Sequence, residues 1–198
     1  MKQVLLIPLF FALLFVGCGA EQPDDAGAAA EGEAAAAEEA HMEGSATESA
    51  GATRGSAQAT VNGANVTVDY GRPALQGRDM KAQADVGFVW RLGMNEATTL
   101  ETNQDLKFGG TTVPAGKYTI FARKTGAEEW HLVFNSELGQ WGAFKHDPSQ
   151  DVAEVPLQVS TAAESAEVLT INVNETGQNS GEIVIIWGTD QLEADFTV

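Results

Sequence analysis

Residues 116–135 read GKYTIFARKTGAEEWHLVFN, and the alternation within them decides the fold. Tyr118, Ile120 and Ala122 alternate with Thr119, Phe121 and Arg123, and Trp130, Leu132 and Phe134 alternate with His131, Val133 and Asn135. Successive side chains of a strand point to opposite faces, so a period of two places each set on its own side of a sheet. The turn cluster Lys124-Thr125-Gly126 lies between the two runs. The same period recurs outward in both directions: Val66, Val68 and Tyr70 after the Asn62-Gly63 turn signal, then Val155, Leu157 and Val159, then Leu169, Ile171 and Val173. Ile183, Ile185 and Trp187, and finally Leu192, Ala194 and Phe196, complete the set. Gly109-Gly110, Pro114-Ala115-Gly116 and Gln178-Asn179-Ser180-Gly181 punctuate it. No run supports a helix of about 12 residues or more, so the chain reads as all-β: an antiparallel β-sandwich or a jelly-roll-like barrel.

The chain has 198 residues, room for one ordinary domain with appendages. Its 28 acidic against 11 basic residues give a net charge of −17, which opposes binding to a phosphate backbone, so no nucleic-acid partner is expected. A single cysteine excludes an intramolecular disulfide framework, a four-thiolate zinc site and a CxxC redox pair.

That cysteine has another use. MKQVLLIPLFFALLFVGCGA opens with one positive charge, Lys2, and an apolar run from Val4 to Val16, too short to span a bilayer of about 30 Å and of the length of a signal-peptide core. Leu14-Phe15-Val16-Gly17-Cys18 resembles the bacterial lipobox. The resemblance implies a lipoprotein signal peptide over residues 1–17, lipidation of Cys18 and a membrane partner through that lipid. Several acyl chains anchor stably where one holds only marginally. Gly19 in place of an Asp, by resemblance to bacterial lipoproteins, implies the cell envelope and an outer membrane, with the domain facing the periplasm.

Composition then changes. From Glu21 to Thr60, 14 of 40 residues are Ala, 9 are acidic, and Val, Ile, Leu and aromatics are absent. Such a stretch buries too little apolar surface to offset its ordering entropy, so residues 18–59 are expected to be a disordered acidic tether and residues 60–198 the β-sandwich domain.

Three blocks of the domain carry a resemblance to a known family. Tyr70-Gly71-Arg72-Pro73, the run Val89-Trp90-Arg91-Leu92-Gly93-Met94-Asn95-Glu96-Ala97-Thr98-Thr99, and Pro114-Ala115-Gly116-Lys117-Tyr118-Thr119 look like the signature of the bacterial envelope family known as domain of unknown function 2911. The resemblance implies a β-rich extracytoplasmic domain and supplies no activity, so candidate sites rest on chemistry.

The densest polar block is Arg91 to Glu96. Arg91 offers a planar fork that can grip a carboxylate, with Glu96 its nearest candidate partner. Two readings stand: a structural ion pair, or Arg91, Asn95 and Glu96 converging at a pocket mouth beside Trp90, with Lys117 joining across the sheet. A second block, Trp141-Gly142-Ala143-Phe144-Lys145-His146-Asp147, sets aromatics beside polar groups, the physics of sugar recognition. Trp90, Arg91, Asn95, Glu96, Lys117, Trp141, Lys145 and Asp147 are therefore the candidate ligand-binding residues. The expected function is a membrane-tethered domain that binds a glycan, another small polar ligand or an envelope-protein partner. A hydrolase built on a Glu96/Asp147 carboxylate pair and a purely structural envelope protein are the alternatives. No catalytic set, cofactor or metal is expected: no GxSxG, HExxH or strand-to-helix phosphate loop occurs, His131, His146 and Asp147 form only a weak candidate metal set, and the Asp147-Pro148-Ser149-Gln150-Asp151 loop offers oxygens to Ca²⁺ but lacks the EF-hand pattern.

Overall fold

A computed structural model describes residues 54–198. The readings of a signal peptide over 1–17, of lipidation at Cys18 and of the 18–53 part of a tether over 18–59 lie outside these residues. Among them no helix is long and apolar enough to cross a membrane.

The domain is all-β and antiparallel. Its strands are β1 (Arg54–Val61), β2 (Ala64–Gly71), β3 (Val89–Trp90), β4 (Thr99–Thr102), β5 (Leu106–Phe108), β6 (Thr111–Val113), β7 (Gly116–Lys124), β8 (Trp130–Asn135), β9 (Asp151–Gly177) and β10 (Ser180–Thr197). One short helix, α1 (Met80–Gln83), interrupts them. The hydrogen-bonded order is β1-β2-β4-β7-β8-β9-β10-β5-β6, with β3 beside β7. The path is open, so of the two expected architectures the sandwich-like one is found and a closed barrel is not.

The opening stretch forms the β7–β8 hairpin, with Ile120 opposite Phe134 and Ala122 opposite Leu132. Tyr118, Ile120, Ala122, Trp130, Leu132 and Phe134 all point into the core. The other face of this hairpin is buried as well: Thr119, Phe121, Val133 and Asn135 lie beneath chain rather than in water.

The two longest strands each join runs that look separate in the sequence. β9 pairs with β8 from Asp151 to Leu157 and with β10 from Gln158 to Gly177. One strand thus serves both halves of the fold. Residues 160–168, STAAESAEV, hold neither Gly nor Pro to end the strand. In β10 the interruption is a bulge instead of a break: register shifts flank Gly188, whose φ of 63° favours glycine.

The halves pack face to face, β1 and β2 against β9. Across that interface the Tyr70 hydroxyl accepts from the backbone N–H of Ile171 at 3.0 Å. The Tyr118 hydroxyl donates to Pro114 O at 2.9 Å, and burial, seconded by the Asp105 carboxylate, raises its pKa above the usual phenol value.

β1 begins at Arg54, six residues ahead of the expected domain boundary at 60. It pairs with β2 over all eight residues, from Arg54 opposite Gly71 to Val61 opposite Ala64. Gly55, Ala57 and Ala59 fill its half-buried face, and residues this small produce no apolar alternation that sequence reading could register.

Candidate functional site

β3 and β4 lie along the same side of β7, Trp90 opposite Ala122 and Thr99 opposite Thr119. The Arg91–Glu96 block is the excursion that bulges out between them. Leu92 and Asn95 hold positive φ (51° and 61°), and the Thr98 hydroxyl ties the excursion by donating to Leu92 O at 2.7 Å.

The second block lies directly on the first. Ala97 N donates to Gln140 O at 2.9 Å, Gly142 N donates to Asn95 O at 3.0 Å, and Glu96 bridges Trp141 as an isolated antiparallel pair. The Arg91 guanidinium comes so close to Gly142 that a Cβ added there would stand 3.0 Å from Nη1, and the Phe144 ring borders the same position. Arg91, Asn95, Glu96 and Trp141 are thus brought together, with Phe144 and Lys145 adjoining. On this surface Trp141 is 59% and Phe144 86% exposed, with Leu138 of the same loop at 47%.

What holds so much apolar surface in water is a buried polar network beneath it. Asn135, at the end of β8 and wholly buried, donates to Asp147 O at 3.0 Å and to Asp151 Oδ1 at 2.8 Å. Its own carbonyl accepts from Glu137 N at 3.0 Å and from Gln140 Nε2 at 3.1 Å. Asp151 is in turn 2.9 Å from His146 Nε2, and the His146 ring meets the edge of Phe121 at 4.9 Å. Buried polar groups need partners, so these bonds clamp both ends of the 136–150 loop onto the outer face of the hairpin. Sequence reasoning gives none of Asn135, Gln140 or Asp151 a part in such a clamp. The available signal was three polar side chains flanking an aromatic loop, which nothing local distinguishes from solvated ones.

Other candidates stand elsewhere. Trp90 is buried on the inner side and stacks on Trp187 at 5.7 Å. Trp90 is the last residue of β3 and its ring turns inward, whereas Arg91 opens the excursion that lies against Gly142. Lys117 forms an exposed pair with Glu101 at 3.3 Å. Glu96 pairs with Arg54 at 3.2 Å, and among the described residues no carboxylate lies within ion-pair distance of Arg91. Asp147 caps the 3-10 turn Pro148–Gln150. The backbone N–H of Ser149, with its hydroxyl, holds the Asp147 carboxyl below the usual range.

Among the described residues, His131, His146 and Asp147 do not converge on a metal set. His131 sits 2.9 Å from Glu154, which also holds Arg123, while His146 faces Asp151. Among the described residues the group whose ligand atoms do converge is Glu182, Glu193 and Asp195, partly exposed carboxylates on a strongly acidic surface.

Together these features define an open antiparallel β-sandwich-like domain that carries a clamped aromatic loop on its outer face. Residues 52–196 match the model of the family described as "Protein of unknown function (DUF2911)", and the chain belongs to that family. No curated protein and no solved structure matches it.

Proposed function

We propose that the outer face around Trp141 is a binding platform for an envelope glycan, on a chain anchored by lipidated Cys18 to an outer membrane and facing the periplasm. The observation that carries this reading is the pair of exposed rings, Trp141 and Phe144, set beside the Arg91 guanidinium and the polar Asn95 and Glu96. An apolar ring face stacks on the C–H face of a sugar while neighbouring donors and acceptors take its hydroxyls. Preorganisation by the Asn135 network reduces the ordering cost that a mobile loop would incur on binding. The carboxylates also favour binding over hydrolysis. A general acid at neutral pH needs a raised pKa, whereas the Asp147 carboxyl has a lowered one.

Two measurements test the reading. Titration of the purified protein with peptidoglycan fragments and soluble envelope polysaccharides should show saturable binding. Trp141→Ala should weaken that binding at least about tenfold, some 1.4 kcal/mol, with the melting temperature unchanged. Absence of binding by every glycan, or equal binding by the variant, defeats the proposal. Anchoring is tested separately. Cys18→Ala should abolish incorporation of a labelled fatty acid and release the chain from the membrane fraction; retention of label would place the anchor elsewhere.

A further inference from the structure

The chain has five arginines, and three of them are visibly engaged. Arg54 holds Asp69 and Glu96, Arg123 holds Glu154, and the Arg78 guanidinium lies 5.8 Å from the Trp187 centroid. Arg91 differs. Among the described residues no carboxylate lies within ion-pair distance of it and no oxygen accepts from its guanidinium. The side chain is partly exposed, and none of its nitrogens is among those sealed from solvent without a partner, so its donors reach water. On a chain with 28 acidic residues, an arginine with no carboxylate calls for a physical reason.

Its surroundings supply one. A Cβ added at Gly142 would stand 3.0 Å from Arg91 Nη1, and the Phe144 ring borders the same point, so glycine at 142 leaves the guanidinium room beside the two exposed rings, Trp141 and Phe144. Lys145, next in sequence to Phe144, is exposed and is likewise in no ion pair among the described residues. The acidic groups nearby have other partners. Glu96 meets Arg54 at 3.2 Å, Asp147 accepts from Ser149 N at 2.9 Å, and Asp151 serves His146 and Asn135. The fork of Arg91 therefore faces outward with its donors unused.

We propose that Arg91 is the specificity-determining residue of the Trp141 platform and that the sugar taken there carries a single carboxylate, as a muramic residue does on its lactyl ether or a uronic acid on its ring. The inference rests on the glycan reading and names the class of glycan. A guanidinium presents parallel N–H donors that match the two oxygens of a carboxylate, a geometry that a neutral hydroxyl does not use and a lysine does not supply. The ring of the same sugar then lies on the neighbouring indole. A monoanion suits the site better than a phosphate, because the Glu96 and Asp147 carboxylates and the net charge of −17 penalise each further negative charge. The new ion pair stays partly exposed, so the expected preference is modest, about fivefold.

Heteronuclear NMR titration of the purified protein with two pairs of disaccharides tests this. N-acetylglucosaminyl-N-acetylmuramic acid is set against N,N′-diacetylchitobiose, and cellobiouronic acid against its methyl ester, so each pair has one member with a carboxylate and one without. In at least one pair the acidic member should bind about fivefold more tightly, with a shift at the Trp141 indole, and that pair identifies the source of the carboxylate. Arg91→Gln should bring the ratio of the two Kd values to about one, whereas Trp141→Ala should weaken both members and leave the ratio standing. A thermal melt establishes that each variant is folded. If Arg91→Gln is not, Arg91→Lys decides, since it keeps the charge without the fork and should lower the ratio at least about twofold. Equal binding of the two members in both pairs, or a ratio that survives in the arginine variants, overturns the proposal while the glycan platform stands. Binding of none of the four disaccharides overturns it as well, and the wider glycan titration then decides the platform separately.

Discussion

Phe134→Ala is expected to lower stability by about 3–5 kcal/mol, the range for emptying a buried aromatic site. Phe134 is wholly buried near the end of β8, and its ring joins two groups of aromatics that come from different halves of the fold. On one side it meets Tyr118 of β7 edge-on at 6.0 Å; on the other it lies 5.4 Å from Phe108 of β5, which continues to Phe196 of β10 at 5.8 Å. Both neighbours sit on strands fixed by pairing, β7 between β4 and β8 and β5 between β10 and β6. The hole therefore cannot close by a loop moving in, and the cost should fall in the upper part of the range. For a domain of this size about 1 kcal/mol corresponds to roughly 3 °C, so the melting temperature should drop by about 10–15 °C. Calorimetry or circular dichroism melts measure it. A drop under about 3 °C would mean that the two halves do not depend on this contact.

The second large effect concerns a single added carbon. Gly71 ends β2 and packs against the Arg91–Glu96 excursion. A Cβ at Gly71 would sit well inside van der Waals range of the Met94 carbonyl oxygen and 2.8 Å from the Met94 nitrogen, and one added at Gly93 would stand 3.0 Å from the Gly71 carbonyl oxygen. The obstructing atoms are backbone, so no rotamer change relieves the clash and the excursion must move. Gly71→Ala should cost about 3 kcal/mol, at the upper end for overpacking, and it should also weaken ligand binding at Trp141, since Asn95 and Ala97 carry that loop's backbone contacts. Gly110→Ala is the matched control, with nothing within 4 Å of its added carbon and an expected change under about 0.5 kcal/mol. Equal melts for Gly71→Ala and Gly110→Ala would contradict the close approach.

Particular residues show where sequence reading succeeded and where it stopped. The faces of the β7–β8 hairpin were legible because a strand's period of two acts residue by residue, with no knowledge of what packs above. The partner of Glu96 was not legible: it is Arg54, 42 positions away, brought near only because β1 pairs with the end of β2. Likewise His146 faces Asp151 instead of its neighbour Asp147, since the turn at Pro148–Gln150 brings the start of β9 back beneath the loop. The exposure of Trp141 and Phe144 was equally out of reach, because an aromatic residue in a loop sequence looks the same whether it plugs the end of a sandwich or stands in water.

Alternation and turn residues, which act over a few positions, were enough to establish an all-β antiparallel domain, the orientation of its hairpin faces and the two polar blocks. Long-range pairing decided the rest. It joined the runs of β9 and β10 into single strands, set the 140–144 segment on the Arg91–Glu96 excursion, and gathered three tryptophans from three strands into one cleft. These arrangements depend on which strands lie side by side, and that choice is made by the packing of the whole core, to which no local stretch of residues has access.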